Sequence, residues 1–125
     1  MRILVADDDA GDAAATLRAL AESGLGVEAH WVKDGEEALA FLLSSEAPAL
    51  VLLDIGMPKV DGIELLRRMK GSDLRAIPAV VMTSSKEERD VLASYHLGVA
   101  GYLLKPVTVE RFRALAAALG VASGG

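Results

Sequence analysis

The chain has no cysteine. That removes disulfide frameworks, thiolate chemistry and zinc fingers, and it suits a reducing interior. A basic stripe is missing too: 18 acids against 13 bases give a formal charge of -5, with both signs scattered, so nucleic-acid binding by this chain alone is not expected. Long hydrophobic runs are absent. The first apolar stretch meets acids after Ala6, too soon for a signal sequence or a membrane span, which makes a cytoplasmic protein with no membrane partner the default. No G-x-x-x-x-G-K-[ST] segment occurs, and Gly24-Leu25-Gly26 follows a helical pattern where a dinucleotide loop would precede one. His30 and His96 are isolated, which argues against a histidine metal site or relay.

What is present is material for one core, since 52% of the 125 residues are hydrophobic. One domain over residues 1–121 is expected, with 122–125 as a flexible tail. Five apolar runs stand out, at Ile3–Ala6, Val27–Val32, Leu50–Leu53, Ala79–Met82 and Ala100–Leu104. The first, third and fourth do not alternate with polar residues, which is how strands buried on both faces read. Helical patterns separate the runs, and their ends are marked. Ala13–Ser23 stops before Gly24, Glu36 and Glu37 fall in a first turn, and Arg67, Arg68 and Lys70 precede Gly71. The fourth helical pattern opens on a serine cap and runs toward Gly98; the fifth runs from Thr108 to Gly120. Such alternation implies right-handed crossovers and a parallel sheet covered on both faces. In a 2-1-3-4-5 strand order, that of a flavodoxin-like three-layer α/β sandwich with five helices, the first and third strands are neighbours.

Ligands of such sheets bind at the carboxyl ends of the strands. Those ends carry Asp7-Asp8-Asp9, Asp54, Thr83-Ser84-Ser85 and Lys105-Pro106. Two carboxylates about 5 Å apart repel by roughly 3 kcal/mol at an effective dielectric of 20, so convergence of Asp7, Asp8 and Asp54 calls for a cation or a raised pKa. Oxygen donors without His or Cys favour Mg²⁺ over zinc or copper. A divalent ion, a hydroxyl at Thr83 and an ammonium at Lys105 around a carboxylate are the equipment for phosphoryl transfer, with Asp54 as the nucleophile and an aspartyl phosphate as the product.

These residues resemble the receiver domain of two-component response regulators, over essentially the whole chain. "ILVADDD" is similar to the first-strand signature, "LLDIGMPKVDGIELLRRMK" to the phospho-acceptor segment with its D-x-x-M-P-x-x-D-G pattern, "VVMTSS" to the fourth-strand Thr/Ser, and "GYLLKP" to the fifth-strand Lys-Pro. The resemblance implies a single-domain response regulator, a signalling switch with no turnover on an external metabolite. Asp54 would accept a phosphoryl group from a sensor histidine kinase. Asp8 directly, Asp7 through water, Asp54 and the main-chain carbonyl of Gly56 would hold Mg²⁺. Lys105 would pair with phosphoryl oxygens and join Pro106 through a cis peptide. Thr83 and Tyr102 would form the switch that remodels the face of the fourth helix, fifth strand and fifth helix for a downstream output protein. A finer resemblance, in "ESGLGVEAHWVKDGEEALAFLL", "GMPKVDGIELLRRMK" and "GYLLKPV", is to stand-alone receivers that pair with bacterial phytochrome kinases. Gly56 and Ser85 are small where many receivers place larger side chains, which implies a short-lived phosphate.

Plainer roles stand beside these. Asp9 and Asp12 read as capping or first-turn acids, Asp61 as part of the turn before the third helix, and Trp31 as packing or a partly exposed rim. Thr83 could also cap the fourth helix, and Tyr102 could be a half-buried packing aromatic. Val91, Leu92, Tyr95, Phe112, Leu115 and Leu119 recur at helical spacing, mostly as core, with a homodimer face as the other option. The competing functions are an aspartyl-phosphate phosphatase or phosphotransferase, a receiver fragment of a larger regulator, and a receiver-like fold without chemistry. Phosphatases of that kind need an acid two residues after the nucleophile, where this chain has Gly56; the intact Asp, Thr and Lys set argues against the last.

Overall fold

A strand covered on both faces needs an apolar side chain at every position. β1 (Arg2–Ala6), β3 (Leu50–Asp54) and β4 (Ala79–Thr83) meet that demand over Ile3–Ala6, Leu50–Leu53 and Ala79–Met82, and they form the middle of a five-stranded parallel sheet. β2 (Glu28–Val32) and β5 (Gly101–Leu104) lie at its edges, in the order β2-β1-β3-β4-β5. This computed structural model describes residues 1–44, 46–55, 57 and 62–120. The expected tail at 122–125 and the turn at Asp61 lie outside them.

Successive side chains of a strand point to opposite faces, so the sheet has two cores. Ile3, Val5, Leu50, Leu52, Val80 and Met82 pack on one side with α1 (Ala10–Glu22) and α5 (Val109–Leu119), whose Leu20 and Phe112 are fully covered. Leu4, Ala6, Val51, Leu53 and Val81 pack on the other side with α2 (Gly35–Ser44), α3 (Gly62–Lys70) and α4 (Lys86–Ala93). Among the described residues, no helix is long and apolar enough to cross a membrane.

Two helix ends differ from the expected ones. α1 starts three residues before Ala13, because the Asp9 carboxylate accepts the Asp12 amide at 2.8 Å and caps the helix directly after the acidic run. α4 ends at Ala93, well short of Gly98. There the Ser94 hydroxyl donates back to the Val91 carbonyl at 2.5 Å, and His96 takes a left-handed φ of 51°, which turns the chain out of the helix. The cap of α4 is Ser85, whose hydroxyl accepts the Glu88 amide; Thr83 does not serve there. A 3-10 turn at Asp73–Ala76, unmarked in the sequence pattern, joins α3 to β4.

Candidate functional site

Register brings the chemistry-bearing residues together. Ala6 pairs with Leu53, so Asp7 and Asp54 end adjacent strands at one level. Asp54 pairs with Met82, and Thr83 with Leu104, which sets Thr83 and then Lys105 along the same edge. The Lys105 amide donates to the Thr83 carbonyl at 2.7 Å, tying those two strand ends together. Only a glycine suits the start of α3 beside them: a Cβ on Gly62 would stand 2.6 Å from the Ile55 Cα and 3.0 Å from the Asp54 carbonyl oxygen.

The three consecutive acids divide into separate roles. Asp7 is fully buried, and its Oδ1 accepts the Asp9 amide at 3.0 Å. Asp8 is exposed. Asp9 is spent on capping α1. Carboxylate oxygens of Asp7, Asp8 and Asp54 lie within 4.8 Å of one another. The Asp7 Oδ2 is buried and makes no hydrogen bond, although Lys105 Nζ stands 3.1 Å away as an ion-pair partner outside hydrogen-bond alignment. An orphaned buried oxygen among three clustered carboxylates is the donor set of a hard divalent cation, so these side chains fit one. Gly56, the expected main-chain ligand, lies outside the described residues.

Lys105 is almost enclosed, and its ammonium faces three carboxylates: Asp7 at 3.1 Å, Asp12 at 3.1 Å and Asp54 at 3.5 Å. Burial opposes its charge, yet the close Asp7 carboxylate, the hydrogen bond to Asp12 and the charge of Asp54 hold it above its ordinary pKa. Burial acts the other way on Asp7 and pushes its carboxyl up to about 6; the Asp9 amide and Lys105 pull it down, and the Asp54 charge adds to the rise.

That rise has a testable sign. A carboxyl whose folded pKa exceeds its unfolded value favours folding most when protonated, and this contribution is lost as pH climbs through about 6. A cation at the pocket requires the ionised form. Mg²⁺ should therefore raise the melting temperature at about pH 7.5 and much less at about pH 5, with affinity falling roughly tenfold for each pH step below the Asp7 value. Thermal melts with Mg²⁺ or a chelator read this directly; an equal Mg²⁺ effect at both pH values would contradict it.

Two participants are hard to see in sequence. Asp12, in the first turn of α1, reaches across to Lys105. The indole Nε1 of Trp31 on β2 donates to the Asp7 carbonyl at 2.8 Å. Neither residue carries a motif, and only the packing of α1 and β2 against the strand ends reveals them. Thr83 is buried and Tyr102 half-buried, and both line a cavity of about 100 Å³ shared with Ser85, Lys86, Arg89 and Leu104. The Lys105–Pro106 peptide is cis. His30 stacks on Phe41 with ring centroids 4.4 Å apart.

Comparison with known proteins gives this site a family. The response regulator receiver domain model matches residues 3–117. FilR2 of Methanothrix harundinacea (strain 6Ac), named a probable methanogenesis regulatory protein, is 40% identical over 114 residues, covering 86% of this chain and 74% of that protein. Response regulator Rcp1 of Synechocystis sp. is 41% identical over 110 residues, 82% of this chain and 75% of Rcp1; a solved Mn²⁺-bound form of Rcp1 superposes with a TM-score of 0.74 at 36% identity, covering 98% of this chain and 91% of that one. The bacteriophytochrome response regulator RtBRR has a TM-score of 0.89 at 44% identity, over 95% of this chain and 77% of that one. With its acidic pocket at the switch edge of a 2-1-3-4-5 sheet, this chain belongs to the response regulator receiver domains of two-component signalling.

Proposed function

We propose that Asp54 is the phospho-acceptor of this response regulator and that its donor is a sensor histidine kinase of the bacteriophytochrome class, working in the cytoplasm. The observation that carries the first part is the position of Asp54, with its Oδ2 3.5 Å from Lys105 Nζ and its carboxylate clustered with Asp7 and Asp8. The similarity to Rcp1 and RtBRR supports the second.

In the transfer, an Asp54 carboxylate oxygen forms a bond to phosphorus as the P–N bond of a phosphohistidine breaks, and the imidazole leaves with a proton. Asp7, Asp8 and Asp54 would hold Mg²⁺, which screens the phosphoryl charge when bound. Lys105 stands ready to pair with a phosphoryl oxygen, and the Thr83 hydroxyl at the end of β4 donates to another. Moving toward the phosphate, Thr83 vacates space beside Tyr102, and the cavity they share lets the aromatic ring turn inward. The surface of α4, β5 and α5, with Val91 on α4 57% exposed and Tyr95 in the turn after it 50% exposed, is the face a downstream partner would cover. No external metabolite is turned over.

The test is phosphotransfer from purified, autophosphorylated kinases. A bacteriophytochrome kinase should label the chain far faster than unrelated kinases, and a preference for a kinase without a light-sensing module would overturn the choice of donor. Gly56 and Ser85 are small where many receivers place larger side chains, so the label should be short-lived after kinase removal. Persistence for many hours would contradict that expectation.

A further inference from the structure

We infer that Trp31 is a positioning residue for the cation pocket, holding the main chain at Asp7 through its indole N–H; this rests on the reading of Asp7, Asp8 and Asp54 as that pocket. The final backbone bond of the β1–β2 ladder runs from the Asp7 amide to the Val32 carbonyl, at 3.1 Å. In a parallel pair the next bond would come from the amide two residues further along β2 to the Asp7 carbonyl. The strand has ended by then. The chain turns at Lys33 into α2, where Asp34 serves as the cap, its carboxylate accepting the Glu37 amide at 2.8 Å and its carbonyl the Ala38 amide at 3.0 Å. The indole of Trp31 fills the gap, donating to the Asp7 carbonyl at 2.8 Å from a register position opposite Val5.

Asp7 is thus fastened at its amide by Val32, at its carbonyl by Trp31 and at Oδ1 by Asp9, while Oδ2 makes no hydrogen bond and faces the pocket. The fastening sits one residue before Asp8, where the chain leaves the sheet. A loop already ordered before the ion arrives loses less conformational freedom on binding it, and affinity rises accordingly.

Trp31→Phe keeps an aromatic ring and removes the N–H. Benzothienylalanine incorporated at position 31 keeps the whole bicyclic shape and removes the same donor. Both should raise the Kd for Mg²⁺ and Mn²⁺, titrated calorimetrically on the unphosphorylated chain, by about three- to tenfold. The phosphorylation rate at saturating metal should stay within about twofold, since a bond of this size acts on affinity through the loop and leaves the reacting groups in place. Natural affinity in both variants, with only the melting temperature lowered, would overturn the proposal and reduce Trp31 to packing. If the natural chain bound no divalent cation in the same titration, the pocket reading itself would fall, a different result from equal binding by all three proteins.

Discussion

Asp54→Asn should abolish phosphorylation and leave the fold intact. The carboxamide matches the carboxylate in shape but offers no anionic oxygen to attack phosphorus, so incorporation from acetyl phosphate and Mg²⁺ should drop by about 10³-fold or more. Stability should move the other way. Asp54 adds to the repulsion that lifts the Asp7 carboxyl, so its removal lowers the negative charge crowded at the sheet edge. The metal-free variant should therefore melt at or above the temperature of the natural chain, and circular dichroism should show the same helix and strand content. Retained phosphorylation, with the same dependence on Mg²⁺, would remove Asp54 from the role proposed for it.

Lys105→Met separates two effects that a simple loss of function would blur. The ammonium lies 3.1 Å from Asp7, 3.1 Å from Asp12 and 3.5 Å from Asp54, so it neutralises the same acids a cation would neutralise. A positive charge beside a divalent ion also repels it, by about 1 kcal/mol at several ångströms in a water-like dielectric. Without Lys105, Mg²⁺ should bind several-fold more tightly, because that repulsion is gone and Asp7 has lost its close partner. Phosphoryl transfer should nonetheless slow about a hundredfold, the usual cost of deleting one preorganised donor to developing charge. Calorimetric Mg²⁺ titration together with acetyl phosphate kinetics reads both. Weaker metal binding combined with an unchanged rate would reverse the assignment and make Lys105 a purely structural cation.

The location of this pocket was readable in the sequence because a doubly covered parallel sheet places every strand's carboxyl end along one edge. Once unbroken apolar runs marked β1, β3 and β4, an order of 2-1-3-4-5 was enough to bring the residues that follow them, Asp7, Asp54 and Thr83, close together. Lys105 followed in the same way from β5. The division of labour within Asp7-Asp8-Asp9 was less accessible, since three identical side chains carry no local mark of which one the fold buries. Burial of Asp7 and capping by Asp9 are set by the direction in which β1 leaves the sheet. The reach of Asp12 to Lys105 and of Trp31 to the Asp7 carbonyl depends on side chains crossing between elements distant in the chain, which no periodicity encodes. The early end of α4 was hidden because its pattern runs on past Ala93, and a serine hydroxyl turned back on the helix together with a left-handed histidine halts it.

The most direct measurement is chemical trapping of the phosphorylated residue. The chain is incubated with acetyl phosphate, with and without Mg²⁺, reduced with borohydride, and sequenced by tandem mass spectrometry, which reveals any aspartyl phosphate as homoserine. The account predicts homoserine at position 54 alone, and only when the divalent ion was present. Homoserine at position 7 or 8, or the same yield in the presence of a chelator, would contradict it.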